Sequence, residues 1–122
     1  MKILIADDSA FMRTILKDII AQSKWADAQI VEAVDGADAI AKYKAEQPDL
    51  VLLDIIMPVQ NGIGVLKEIG QSAPSVVIVS SVDQMEVIDE AKTLGAKDYI
   101  TKPFDAKQVI TLLDGMLPQK ES

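Results

Sequence analysis

The 122-residue sequence contains neither cysteine nor histidine. Without cysteine there is no disulfide framework, thiolate nucleophile or Cys-ligated zinc, and without histidine there is no imidazole base, relay or metal ligand. Most hydrolase triads are excluded at once. Long apolar runs are also missing: the N-terminal stretch Ile3-Leu4-Ile5-Ala6 is too short for a signal peptide or a membrane span, and Asp7 and Asp8 end it abruptly. Positive charge is scarce, with 12 Lys and Arg against 19 Asp and Glu, and the formal charge of -7 repels nucleic acid and anionic membranes. A cytoplasmic protein with no nucleic-acid and no membrane partner is the expectation.

What remains is ordinary globular material, 49% apolar and 25% charged, long enough to bury about two thirds of its unfolded surface in one domain. Three runs are apolar on both faces, Ile3–Ala6, Leu50–Leu53 and Val76–Val79, as befits central strands of a doubly covered parallel sheet. Gln29–Ala33 and Tyr99–Thr101 are part polar and belong at its rims. Between them, Phe11, Met12, Ile15, Leu16, Ile19 and Ile20 make one stripe on a helix near 10–22, whose polar face carries Arg13, Lys17 and Asp18. Asp35, Gly36 and Asp38 open a second helix that ends around Gln47-Pro48, and a third near 63–70 carries Ile63, Leu66 and Ile69. The spacing of Asp83 and Glu86 predicts the start of a fourth, with an Ile88/Ala91/Leu94 stripe and Gly95 in the left-handed stop position. A fifth starts at Asp105 with Gln108 and buries Val109, Leu112, Leu113 and Met116. This alternation requires right-handed crossovers and a parallel sheet with helices on both faces. One domain over residues 1–122 is expected, closing in the polar tail Pro118-Gln119-Lys120-Glu121-Ser122.

In open α/β sheets ligands bind outside the carboxyl ends of the strands, where the winding reverses. Those ends carry Asp7-Asp8, Asp54, Ser80-Ser81 and Lys102. The flavodoxin-like order 2-1-3-4-5, adopted from known doubly wound sheets, would gather them in one crevice. Carboxylates so placed repel: two unit charges ~4 Å apart at an effective dielectric near 20 cost about 4 kcal/mol. A hard divalent ion and one lysine would offset this, and Mg²⁺ suits Asp8, Asp54 and a phosphoryl group, with Lys102 and Ser80 left for other phosphoryl oxygens.

Singly, each group has a plainer use. An Asp after a strand is more often a turn former or helix cap, Ser80 a polar strand end and Lys102 a solvated charge; only the combination reverses those odds, and Tyr99 taken singly is as often a packing residue as a functional one. Met12, Met57, Met85 and Met116 read as packing. Asn61-Gly62-Ile63-Gly64 lacks the third glycine of a dinucleotide fingerprint, and neither a Walker A motif nor G-x-S-x-G occurs. The acid two positions past the acceptor that marks aspartate-based phosphatases is also missing after Asp54.

The combined motifs are Ile5-Ala6-Asp7-Asp8-Ser9, Leu53-Asp54-Ile55-Ile56-Met57-Pro58, Asn61-Gly62, Ser80 and Lys102-Pro103-Phe104. With them the chain resembles a response-regulator receiver domain of two-component signalling, from Lys2 to about Leu117. Ala10-Phe11-Met12-Arg13 and Gly95-Ala96-Lys97-Asp98-Tyr99 resemble the single-domain chemotaxis members of that family. The resemblance implies a (βα)5 flavodoxin-like fold and a phosphoacceptor, Asp54, served by a histidine kinase. It further implies Mg²⁺ ligated by Asp8, Asp54 and the Ile56 backbone carbonyl, with Asp7 holding a metal-bound water. Lys102 would pair with Asp54 and then with the phosphoryl group, Ser80 would move toward that group, and Tyr99 would turn inward behind it. The Lys102-Pro103 bond would be cis.

Two departures from the family pattern bear on mechanism. Ser81 adds a hydroxyl where a small residue such as Ala is usual. Ile56 and Val82 are apolar where fast relatives place polar groups near an attacking water, so slow self-dephosphorylation is expected. Since no effector segment follows Leu117, the expected output is a protein contact in trans through the fourth helix, fifth strand and fifth helix. The flagellar motor switch would be the partner if the role is chemotactic, a phosphatase could act on the phosphorylated form, and the chain itself would be a monomer. It would be a phosphoacceptor rather than an enzyme, showing only self-phosphorylation from small donors and self-dephosphorylation. Three readings compete: a phosphorelay shuttle to a histidine phosphotransfer protein, a Mg²⁺-dependent phosphatase of outside substrates, and a pseudo-receiver that is never phosphorylated.

Overall fold

Each apolar run becomes a strand whose alternate residues enter different helical layers. In the computed structural model, which describes residues 1–70, 72 and 75–117, the strands are β1 (Lys2–Ala6), β2 (Gln29–Ala33), β3 (Leu50–Leu53), β4 (Val76–Ser80) and β5 (Asp98–Thr101). They alternate with α1 (Ala10–Ala21), α2 (Gly36–Glu46), α3 (Gly62–Ile69), α4 (Met85–Thr93) and α5 (Ala106–Met116). The sheet is parallel throughout, in the order β2-β1-β3-β4-β5. The tail expected over 118–122 lies outside the described residues.

Ile3, Ile5, Leu50, Leu52, Val77 and Val79 pack with Leu16, Ile19 and Ile20 of α1 and Val109 and Leu113 of α5. The residues between them, Leu4, Ala6, Val51, Leu53, Val76 and Ile78, pack with Ala39 of α2, Val65, Leu66 and Ile69 of α3 and Ala91 of α4. Burying one such aliphatic side chain contributes about 1.5–3 kcal/mol, so these layers dominate stability. Because the chain turns one way from β1 to β2 and the other way from β3 onward, the β1 and β3 loops part at their carboxyl ends and leave a crevice.

Local signals work where a side chain can cap a helix. Ser9, Asp35, Asn61 and Asp105 each cap the helix that follows, and Asp105 and Gln108 form a reciprocal capping box. Gly95 has φ +120°, and a Cβ there would lie 2.5 Å from the Gly70 carbonyl oxygen, so α3 and α4 meet through bare backbone.

Three expectations need correction. Helix α4 is not capped by Asp83; Gln84 is its N-cap and makes no side-chain capping bond. The Val82 N–H is held by Ser80 Oγ at 3.2 Å and its carbonyl by the Tyr99 hydroxyl, which keeps the chain extended for one residue beyond Asp83. On α4 it is Val87 that packs on the core with Ala91 and Leu94, while Ile88 is half-buried, because both spacings make an acceptable stripe. Phe11 is 74% exposed on the first turn of α1, and Leu112 and Met116 of α5 are only partly buried. The buried Trp25, in the α1–β2 loop at the opposite end of the sheet from the crevice, donates its indole N–H to Asp114 Oδ1 at 2.9 Å and fastens that loop to α5.

Candidate functional site

Asp7, Asp54 and Lys102 each leave the sheet one residue beyond a strand, in a ladder that still holds their backbone. The Asp7 N–H donates to the Ala33 carbonyl at 3.1 Å, the Asp54 N–H to Ala6 at 2.9 Å and the Lys102 N–H to Ser80 at 2.9 Å. The positions of these three groups are therefore inherited from the sheet. Behind Asp54, the Gly62 N–H donates to the Ile55 carbonyl at 2.8 Å, and a Cβ on Gly62 would lie 2.2 Å from the Asp54 carbonyl oxygen. Only glycine lets α3 start this close to the end of β3. The Lys102–Pro103 peptide bond is cis.

Asp7 and Asp54 are buried, at 2% and 6% exposure, while Asp8 is open to solvent. Lys102 Nζ bridges the buried pair, 2.9 Å from Asp7 Oδ2 and 3.2 Å from Asp54 Oδ2. The other oxygens are also occupied: Asp7 Oδ1 accepts from the Ser9 N–H at 2.9 Å and Asp54 Oδ1 from the Ile56 N–H at 3.3 Å. Burial works against the charged form of Lys102, but the Asp7 hydrogen bond and the attraction of Asp54 and Asp7 outweigh it and lift the ammonium above its ordinary pKa. It stays protonated across the neutral range.

One ammonium faces three carboxylates, leaving a formal excess of two negative charges. Asp7, Asp8 and Asp54 each offer an oxygen, and these oxygens lie within 4.8 Å of one another. An all-oxygen set with one member open to water suits a hard divalent cation that keeps part of its hydration shell. These residues can hold a metal, and they fit Mg²⁺.

Ser80 is fully buried at the end of β4. Its hydroxyl lies close enough to act on the Tyr99 phenol, and both meet at Val82: Ser80 Oγ takes the Val82 N–H, and the half-buried Tyr99 donates to the Val82 carbonyl. Burial raises the Tyr99 pKa, so the phenol keeps the proton it donates. Ser81 is exposed and makes no side-chain hydrogen bond among the described residues. Ile56 is 57% exposed beside Asp54, and Val34, Phe11, Val59 and Met85 lie exposed on loops or first helical turns at the same end of the sheet.

The structure thus brings together Asp7, Asp8, Asp54 and Lys102, and sets Ser80 and Tyr99 beside them through Val82. By pattern alone Arg13 falls on the polar face of its helix and Glu32 is a polar break in an edge strand. Arg13 Nη1 instead donates to the Asp7 carbonyl at 2.7 Å and its Nε to Glu32 Oε1 at 2.9 Å. The available signal was that Arg13 sits one helical turn after the acidic pair, within reach of its backbone.

Comparison with known proteins gives one answer. The model of the response regulator receiver domain matches residues 3–114. The chemotaxis protein CheY of Thermotoga maritima is 43% identical over 93% of this chain and 94% of its own. The chemotaxis protein CheY of Bacillus subtilis is 42% identical over 95% of this chain and 97% of its own. Among solved structures, a CheX-CheY-BeF3-Mg+2 complex from Borrelia burgdorferi contains a chain that superposes with a TM-score of 0.85 at 30% identity, covering 97% of this chain and 90% of that one.

Proposed function

The chain belongs to the response regulator receiver domain family and is closely related to the chemotaxis protein CheY, and on that premise we propose that it is a stand-alone switch phosphorylated on Asp54. The observation that carries this reading is the buried Asp54 carboxylate held between the Lys102 ammonium and the Ile56 N–H at the mouth of an acidic site.

A histidine kinase supplies the phosphoryl group. An Asp54 carboxylate oxygen attacks phosphorus, the P–N bond to the donor imidazole breaks, its electron pair stays on that nitrogen, and an acyl phosphate forms. Lys102 orients Asp54 beforehand and then transfers one hydrogen bond to a phosphoryl oxygen. Asp8 and Asp54, with the Ile56 carbonyl, would hold Mg²⁺, with Asp7 on one of its waters, and the ion would offset the charge that builds up on the phosphoryl oxygens. Ser80 leaves Val82 for the phosphoryl group, and Tyr99, tied to the same Val82 peptide, turns inward in response. The change is read on the α4-β5-α5 face by an output protein, the flagellar motor switch in a chemotactic role, and is ended by self-hydrolysis or a partner phosphatase. Relatedness to CheY supports the chemotactic role, played in the cytoplasm by a monomer. The apolar Ile56 and Val82 beside the site support slow self-hydrolysis.

Intact mass after incubation with acetyl phosphate is the test. A gain of one phosphoryl group that needs Mg²⁺ and disappears in Asp54→Asn is expected. No gain by the folded parent with Mg²⁺ present overturns the acceptor role, and onward transfer to a histidine phosphotransfer protein would favour a relay over a terminal switch.

A further inference from the structure

Among the described residues, Asp8 alone of the three acids has nothing holding its side chain. Asp7 is fixed by Lys102 and the Ser9 N–H, and Asp54 by Lys102 and the Ile56 N–H. No donor among the described residues reaches the Asp8 carboxylate. Its place at the site is set through the backbone, by the peptide that joins it to Asp7.

That peptide is gripped from α1. The Asp7 carbonyl that accepts from Arg13 Nη1 at 2.7 Å is the oxygen of the Asp7–Asp8 peptide plane. Arg13 is largely buried, with its side chain 12% exposed, and is aimed by Glu32 of β2, which takes its Nε at 2.9 Å. The second Glu32 oxygen accepts from Lys17 Nζ at 3.0 Å, so the carboxylate is clamped from both sides. The Lys17 hydrogen bond, aided by Arg13 and against the effect of partial burial, holds Glu32 below its ordinary value of 4.5, and it is ionised at neutral pH. Because a planar guanidinium donates through two nitrogens in fixed directions, it can span a carboxylate and a carbonyl as a single rigid brace.

We propose that Arg13, aimed by Glu32, is a positioning residue for the acidic pair, fixing the Asp7–Asp8 peptide so that the unheld Asp8 carboxylate is already in place for a divalent cation. The inference rests on the reading that Asp8 ligates that cation. Charge alone predicts the opposite sign, because a guanidinium beside the site repels a divalent ion and its removal should then tighten binding. Outer partners that orient metal ligands are typically worth about 10–100-fold in affinity.

The test is a titration of the full chain with Mg²⁺ at constant ionic strength, read from backbone amide shifts, with circular dichroism melts checking the fold. Arg13→Met is expected to weaken Mg²⁺ binding by about tenfold or more. Arg13→Lys, which keeps the charge and loses the planar fork, should weaken it nearly as much. Glu32→Gln, which leaves Arg13 present but less firmly aimed, should weaken it by about threefold. Phosphorylation of the variants by acetyl phosphate should recover at saturating Mg²⁺. Parent-like or tighter binding in folded Arg13→Lys overturns the proposal, and if the Arg13 variants do not fold, parent-like binding in Glu32→Gln overturns it. A parent that takes up no Mg²⁺, or an Asp8→Asn variant that binds as well as the parent, overturns the metal reading and this inference with it.

Discussion

At the β1/β3 side of the crevice, each buried carboxylate is held by two partners, and the loop behind Asp54 leaves no room for a single methyl group. At the β4/β5 side, the hydroxyls of Ser80 and Tyr99 both lean on one residue, Val82, and the helix that follows starts without a side-chain cap. A rigid acceptor beside a weakly tied loop is the arrangement in which a change of charge at Asp54 is felt as motion elsewhere. On the proposed function, Asp54 must keep its geometry with and without the phosphoryl group, whereas the loop would exist in two states.

Breaking the rigid side should have the largest effect. Lys102→Met leaves Asp7 and Asp54 buried without their shared cation and should cost about 3 kcal/mol in urea unfolding. Because the Lys102 pKa is raised, its stabilisation is complete below the ordinary value of 10.5 and disappears as pH rises through the higher folded value. The gap between parent and Lys102→Met should therefore be flat through neutral pH and close only in strong alkali. Gly62→Ala comes next: its Cβ must push against the Asp54 carbonyl, and a loss of about 2 kcal/mol is expected, with slower phosphorylation by acetyl phosphate. A parent-like rate there would show that the acceptor strand is not as stiff as its packing implies.

Changes on the loose side should be smaller. Tyr99→Phe deletes one hydrogen bond to Val82 and should cost about 1 kcal/mol while leaving Asp54 phosphorylation intact, as read by urea unfolding and intact mass. Gln84→Ser supplies the missing cap and should stabilise the chain by about 0.5–1 kcal/mol, visible as a higher urea midpoint. A Gln84→Ser variant that gains nothing would show that the start of α4 is already satisfied by its surroundings.

The same contrast separates what could be read in the sequence from what could not. Ile3–Ala6, Leu50–Leu53 and Val76–Val79 announce themselves because a strand covered on both faces must be apolar at every position. The acids at their ends follow from chain order and the crossover rule. Helix α4 was harder to read, since its start depends on Val82 being tied to Ser80 and Tyr99, 17 residues apart in the case of the phenol. Arg13 and Glu32 were missed for a related reason: they are 19 residues apart and meet only once β2 lies beside β1. Phe11 carries the helical period of α1 yet stays exposed, because the first turn projects past the end of the sheet and has nothing to cover it.

Trp25, buried far from the crevice and fastened to Asp114, makes the natural fluorophore of this protein a witness of the wrong event. Its emission should follow the loss of the α1/α5 layer on unfolding and stay almost silent on the proposed phosphorylation of Asp54. An optical assay of signalling needs a second indole, and Ile56, exposed beside the acceptor, is the place to install one.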